Sequence, residues 1–158
     1  MNVLTWLETS FFVQLLTKSE WGYPIVEIFH LIGMAILVGA SFMFDLRILG
    51  FSTHIPITKM AKHLLPWAWV GFSLVFITGG LLFSVNARLL VDNIAFQVKM
   101  LLLIVIGLNV LLFHLTARKI QGSAEDKPAY NVLHKCNALV SLLLWMVTIA
   151  LGRLIAYV

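Results

Sequence analysis

Charge is what this sequence has least of. Of its 158 residues only 11% are Asp, Glu, Lys or Arg, against about 25% in ordinary soluble domains. A water-soluble fold of this make-up would have no polar surface to present, so that class is excluded. Cysteine is almost missing as well. Cys136 stands alone, which excludes an internal disulfide framework and any zinc or iron–sulfur site built from several cysteines of one chain. Early positive charge is absent too, the first cation being Lys18, so the N-terminus does not read as a secretory signal and is expected to be retained. The six methionines form no Met-x-x-Met cluster, which argues against copper(I), a metal that selects soft thioether ligands. The length leaves room for one domain, 1–158, and a handful of spans, too few for a transporter built of large repeats.

What fills the sequence instead is apolar: 61% of residues are hydrophobic and the mean hydropathy is +0.98. A transmembrane helix needs about 20 mostly apolar residues. Four stretches qualify, at about 23–49, 60–85, 96–117 and 132–157. They are continuous apolar runs rather than alternating ones, which argues against a barrel. The connections between them are short, with Pro56, Asp92-Asn93, Gly122 and Pro128 as breakers. Short connections predict antiparallel neighbours, hence an all-α, up-down four-helix bundle in the membrane. Residues 2–17 are too short to span, and with Leu4, Leu7, Phe11 and Leu15 on one side they predict an amphipathic helix lying in the interface.

Basic residues give the expected orientation. Arg47, Lys59, Lys62, Arg118, Lys119, Lys127 and Lys135 flank one face, and Lys18, Arg88, Lys99 and Arg153 the other. The positive-inside rule assigns the richer face to the cytoplasm and both termini to the outside. The net charge of +4 then serves as a topological signal and implies no nucleic-acid partner.

Ionisable groups inside a span are costly and are functional candidates by default. At ~1.5 Å rise per residue, Glu27, Lys99 and Arg153 fall at similar shallow depths below the outer face, with His30 one turn deeper. They are expected to form a buried outer cluster of acid, imidazole, amine and guanidinium. A second cluster is expected on the cytoplasmic side, where His63, His114 and His134 reach one level near Asp45 and Arg47. Histidines at matched heights on facing helices are how a bundle holds a haem. Plainer readings stay open beside these. His63 and His134 also read as solvated interface groups, His114 as an interior hydrogen-bonding group, and His54 as a loop residue. Lys99 and Arg153 can snorkel to the interface, Glu27 and His30 can simply bond each other, and the glycines can serve close helix approach. Trp145 reads either as packing or as a pocket wall.

The run Glu27-x-x-His30-Leu-Ile-Gly33, closing in Asp45-Leu-Arg47-Ile-Leu-Gly50, resembles an uncharacterised bacterial family of four-span membrane proteins. So do Leu65-Pro66-Trp67, Thr78-Gly79, Lys99 with Asn109, and Gly152-Arg153-Leu-Ile-Ala-Tyr157. A first-span histidine, with a lysine opening a helix that ends in His114, is similar to the J-type membrane protoporphyrinogen oxidases and to the membrane domain of copper-resistance D proteins. That resemblance implies haem b, with His30 and Lys99 as haem-site residues. The arginine that the J-type pattern places about three turns after the histidine is missing here, the segment Ser41–Phe44 being uncharged, so porphyrinogen oxidation is not carried over.

The expected function is therefore a small b-type haem binder of the bacterial cytoplasmic membrane, passing electrons between a quinone and a periplasmic partner. His30 would be the main axial ligand, Lys99 a second ligand or electrostatic partner, Glu27 a proton acceptor for His30, and Arg153 a partner for a propionate or quinone oxygen. The alternative is a cofactor-free carrier or a scaffold subunit of a larger membrane complex, in which Glu27, Lys99 and Arg153 form an intramembrane salt-bridge network. A homo-oligomer is compatible with either, and whether the protein is an enzyme is left open.

Overall fold

The structure, a computed structural model, describes residues 3–120, 132–155 and 157; for 3, 4 and 113–120 it describes the backbone only. All regular structure among the described residues is helical. Seven helices follow one another in these residues: α1 (Val3–Glu8), α2 (Phe11–Lys18), α3 (Gly22–Leu49), α4 (Ile57–Val85), α5 (Ala87–Asp92), α6 (Ile94–Ile120) and α7 (Val132–Leu154). Among the described residues, four stretches are long and apolar enough to cross a membrane: Gly22–Leu49, Ile57–Val85, Ile94–Leu112 and Val132–Leu154. The all-α class and the four spans thus stand, and the protein is a multi-pass membrane protein in a lipid environment.

Two local differences from the sequence reading have clear causes. The N-terminal amphipathic segment is broken into two helices. The Thr9 hydroxyl donates to the Thr5 carbonyl at 2.8 Å, ending α1, and Ser10 is extended (φ −62°, ψ 150°) ahead of α2. Side-chain bonds of this kind compete with helix continuation. The connection after the second span holds an extra short helix, α5. Its N-cap position, Asn86, makes no side-chain cap bond. The Glu8 carboxylate supplies one from a distance, accepting the Arg88 backbone N–H at 3.0 Å and pairing with the Arg88 guanidinium at 3.5 Å. Arg88 also donates to the Thr5 hydroxyl. A carboxylate at a helix N-terminus meets both orphan donors and the positive end of the dipole.

The chain divides into two compact units, Met1–Ser41 with Ala61–Ile94 and Phe42–Met60 with Ala95–Val158. In the first unit, α3 and α4 meet through glycines. A Cβ on Gly71 would lie 2.7 Å from the Leu37 amide nitrogen and 2.9 Å from the Gly33 carbonyl oxygen. One on Gly33 would lie 3.2 Å from the Gly71 oxygen. Backbone touches backbone here, the packing that small residues permit where no hydrophobic effect drives helices together.

In the second unit, α3 ends in a Schellman turn. Gly50 (φ 109°) donates to the Arg47 carbonyl at 3.2 Å, and Phe51 to the Leu46 carbonyl at 3.0 Å. Arg47 then folds over the connection, its Nε donating to the Ile55 carbonyl at 2.8 Å and its Nη2 to the Thr53 carbonyl at 3.1 Å. The inner face of α7 repeats at intervals of four and three residues: His134, Ala138, Ser141, Trp145 and Thr148 are all buried.

Candidate functional site

His30 has the most closely defined surroundings of the histidines. It lies in α3 at half-burial, and its Nδ1 is 2.9 Å from the Thr78 hydroxyl oxygen on α4. That hydroxyl is 2.6 Å from the Leu74 carbonyl, four residues back on its own helix. A hydroxyl has a single proton to give. With that proton committed to Leu74, Thr78 accepts from His30, so Nδ1 carries the imidazole hydrogen and Nε2 the lone pair. Tautomers are assigned from such networks, and the short Thr78–Leu74 bond favours this one. The ring also rests on a glycine: a Cβ on Gly79 would lie 3.1 Å from His30 Cε1 and 3.6 Å from Nδ1. The Gly33–Gly71 approach sits further along the same pair of helices, so the crossing of α3 and α4 sets the height at which His30 meets Thr78-Gly79.

The other members of the expected outer cluster are placed differently. Glu27 is exposed, and the group at His30 Nδ1 is Thr78 rather than Glu27. Arg153 is exposed as well. Its Nη2 donates to the Tyr157 hydroxyl at 3.3 Å, and its guanidinium stacks 5.5 Å from the centre of that ring. The expectation that these two charges are buried is corrected. Glu27 stands in the second turn of α3 and Arg153 in the last turn of α7, close enough to the helix ends for each charge to stay hydrated. Lys99 is half-buried in the second unit, where its Nζ lies 3.4 Å from the position of a Cβ on Gly152.

The expected cytoplasmic histidines also part company in burial. His63 and His54 are exposed, whereas His134 is 5% exposed. His114 lies on α6, and its side chain falls outside the described residues. Among the described residues, no group of three or more His, Cys, Asp or Glu side chains is arranged to hold a metal ion. Haem asks for less, one or two axial ligands, and the chemistry at His30 suits one of them. Its lone-pair nitrogen is fixed by a hydrogen bond at the other nitrogen, which is how ligating histidines are oriented.

Asp45 and Trp145 complete the polar residues of interest. Asp45 is 8% exposed and bonds the Ser141 hydroxyl on α7. Trp145 is 5% exposed on the same face of α7. The roles of Thr78 and Gly79 are ones that residue spacing along single helices does not supply. A threonine followed by glycine in an apolar span was the available signal, and it becomes a site only once α4 is set against α3.

No curated protein and no solved structure shows significant similarity to the chain. One family does match, over residues 3–158, nearly the whole sequence. The chain therefore belongs to the family of unknown function DUF6644.

Proposed function

We propose that the protein binds haem b in the bacterial cytoplasmic membrane, with His30 as an axial ligand, and serves electron transfer there between a quinone and a periplasmic partner. The observation that carries this reading is the His30–Thr78–Leu74 hydrogen-bond chain. It commits Nδ1 as donor and leaves the lone pair on Nε2, the form in which imidazole ligates iron. Gly79 keeps one edge of the ring against helix backbone, so the imidazole has little freedom to turn away. Haem, when bound, supplies a one-electron couple whose potential follows its axial ligands and their hydrogen bonds. Thr78, by accepting from Nδ1, makes His30 a stronger electron donor than an unbonded imidazole. The distribution of basic residues supports both termini facing the periplasm.

The test is an optical spectrum of the purified protein, with a pyridine haemochrome, after expression with ample haem supply. A Soret band and a reduced α band are expected, and both are lost in His30→Ala while the protein keeps its helix content. A wild-type protein with neither band overturns the reading.

A cofactor-free scaffold subunit is the second reading, and one observation favours it. Glu27 and Arg153 lie exposed near the ends of helices that cross the membrane, where hydrated charges are accessible to a partner subunit. On that reading, Glu27→Gln and Arg153→Gln release the protein from a larger complex in native electrophoresis, and His30→Ala changes no spectrum.

A further inference from the structure

A hydroxyl in an apolar helix can be satisfied on its own helix, as Ser41 is by donating to the Leu37 carbonyl at 2.9 Å and Ser84 to the Gly80 carbonyl at 2.7 Å. An amide cannot. Its oxygen needs a donor, and the backbone N–H groups in the middle of a helix are already bonded. Asn109 brings such an amide into α6. It is half-buried, and among the described residues its side chain has no hydrogen-bond partner. Its oxygen and nitrogen are not sealed in the interior either, since both keep accessible surface.

The depth of Asn109 makes that need acute. The nearest formal charges along α6 are Lys99 and Arg118, about 15 Å before it and about 14 Å after it at ~1.5 Å per residue. Together these distances match the ~30 Å of a bilayer's hydrocarbon core. Asn109 therefore stands near the mid-plane, where no water serves a polar group. Asn137 differs in standing in the second turn of α7, within reach of interfacial water.

Around α6, Asn109 shares a stripe with Val98, Leu102, Val105 and Leu112, at steps of four, three, four and three residues. That is the heptad spacing of a helix–helix seam. Val98, Val105 and Leu112 are exposed and Leu102 is half-buried, so the chain itself leaves the stripe largely uncovered. The contact of α6 with α7 lies elsewhere. Lys99 Nζ is 3.4 Å from the position of a Cβ on Gly152, and Lys99 is about 100° round the helix from Val98. The apolar members of the stripe gain no hydrophobic energy by exchanging lipid for protein. The amide gains a partner.

We propose that this stripe of α6 is the contact between two copies of the chain, a parallel dimer whose two-fold axis passes Asn109, each amide hydrogen-bonded to the other. Copies inserted with the same topology carry α6 in the same direction and at equal depth, so a residue on the axis meets itself. A primary amide both donates and accepts and is therefore its own complement, as an ammonium or a carboxylate is not. One amide in an otherwise apolar heptad seam also fixes the register of the two helices. Lys99, turned to Gly152, keeps its charge off the seam. The dimer does not depend on haem at His30, and its test needs none.

The full-length protein is reconstituted into liposomes from two portions, one carrying a donor dye and the other an acceptor dye on Cys136, the single cysteine and an exposed one. Energy transfer that falls as lipid is added, and that unlabelled protein competes away, is expected. Asn109→Val weakens the dimer about 3- to 30-fold, and Asn109→Gln, which keeps an amide, weakens it less. A second measurement leaves Asn109 in place. In a Cys136→Ser background, Val105→Cys and Leu112→Cys are expected to give disulfide-linked dimers on mild oxidation of native membranes. Ile104→Cys and Leu111→Cys, also exposed but on the far side of α6, are expected not to. Circular dichroism identifies any variant that does not fold, and the crosslinking then carries the test. Wild-type energy transfer no greater than that of randomly distributed monomers overturns the proposal. So does a folded Asn109→Val that dimerises as tightly as wild type, or Ile104→Cys crosslinking as readily as Val105→Cys. A crosslink from Val105→Cys to a different protein in place of the dimer overturns it as well, and makes a foreign helix the occupant of the stripe.

Discussion

Replacing Gly71 by alanine tests the helix crossing on which the His30 site depends. An added Cβ would sit 2.7 Å from the Leu37 nitrogen and 2.9 Å from the Gly33 oxygen, where ordinary contact begins at 3.4 Å. Both obstacles are backbone, so no side chain can swing aside. The helices must separate by about 0.7 Å, the difference between 3.4 and 2.7 Å. Overpacking of this kind costs about 1–3 kcal/mol. Against it stands the better helix propensity of alanine, about 1 kcal/mol. The net change is then a loss of up to about 2 kcal/mol.

Gly80 supplies the control. It lies in the same helix, and a Cβ there meets nothing within 4 Å, so Gly80→Ala receives the propensity gain alone. Subtracting one variant from the other cancels propensity and leaves the crossing cost, about 1–3 kcal/mol. Reversible unfolding in mixed micelles of increasing denaturing-detergent fraction, followed by circular dichroism, measures it. Equal shifts for the two variants would refute the reasoning, because they would mean that α3 and α4 do not meet at Gly33 and Gly71.

Two other outcomes follow from single contacts. Thr78→Val removes the acceptor at His30 Nδ1 and keeps the side-chain shape; on the proposal that His30 ligates haem, a shifted midpoint potential is expected, with Thr78→Ser staying near wild type, as read by redox titration of the α band. Glu8→Ala removes both the cap on α5 and the partner of Arg88. Because the Arg88 and Glu8 side chains are 56% and 26% exposed, the ion pair itself contributes well under ~1 kcal/mol, and most of the loss, about 1 kcal/mol, is the missing cap. Hydrogen exchange is expected to quicken at Thr5–Glu8 and at Ala87–Leu90 together, leaving the spans unchanged.

What was legible in the sequence is what the bilayer dictates. A stretch such as Phe96–Leu112 has no means of satisfying its backbone in hydrocarbon except as a helix, so composition and length determine its state. The N-terminal break and α5 follow another logic. Thr9 ends α1 with a bond to Thr5, and Glu8 caps a helix some 80 residues away in sequence. Neither is visible from hydropathy, because each rests on a single oxygen finding a single donor. The burial expected for Glu27 and Arg153 failed on a related point. Depth along a helix axis says how far a residue is from the surface, but not which way its side chain faces, and near a helix end a charge takes the wetter side.

His30 and His134, which depth arithmetic sets at opposite sides of the bilayer, show where sequence periodicity helps and where it stops. Both fall on inward faces. For His134 the heptad of α7 suffices to predict burial, since Ala138, Ser141, Trp145 and Thr148 continue the same stripe and all are buried. For His30 burial is incomplete, and its character comes from Thr78 and Gly79, 48 and 49 residues on. The same contrast holds among the hydroxyls. Sequence places Thr78 and Thr148 alike within apolar helices, and in isolation each would return its proton to its own backbone. Thr78 does so and thereby becomes an acceptor for an imidazole; Thr148 does not, and among the described residues its buried hydroxyl meets no partner. A hydroxyl that declines a bond one turn away has its geometry set by something other than its own helix.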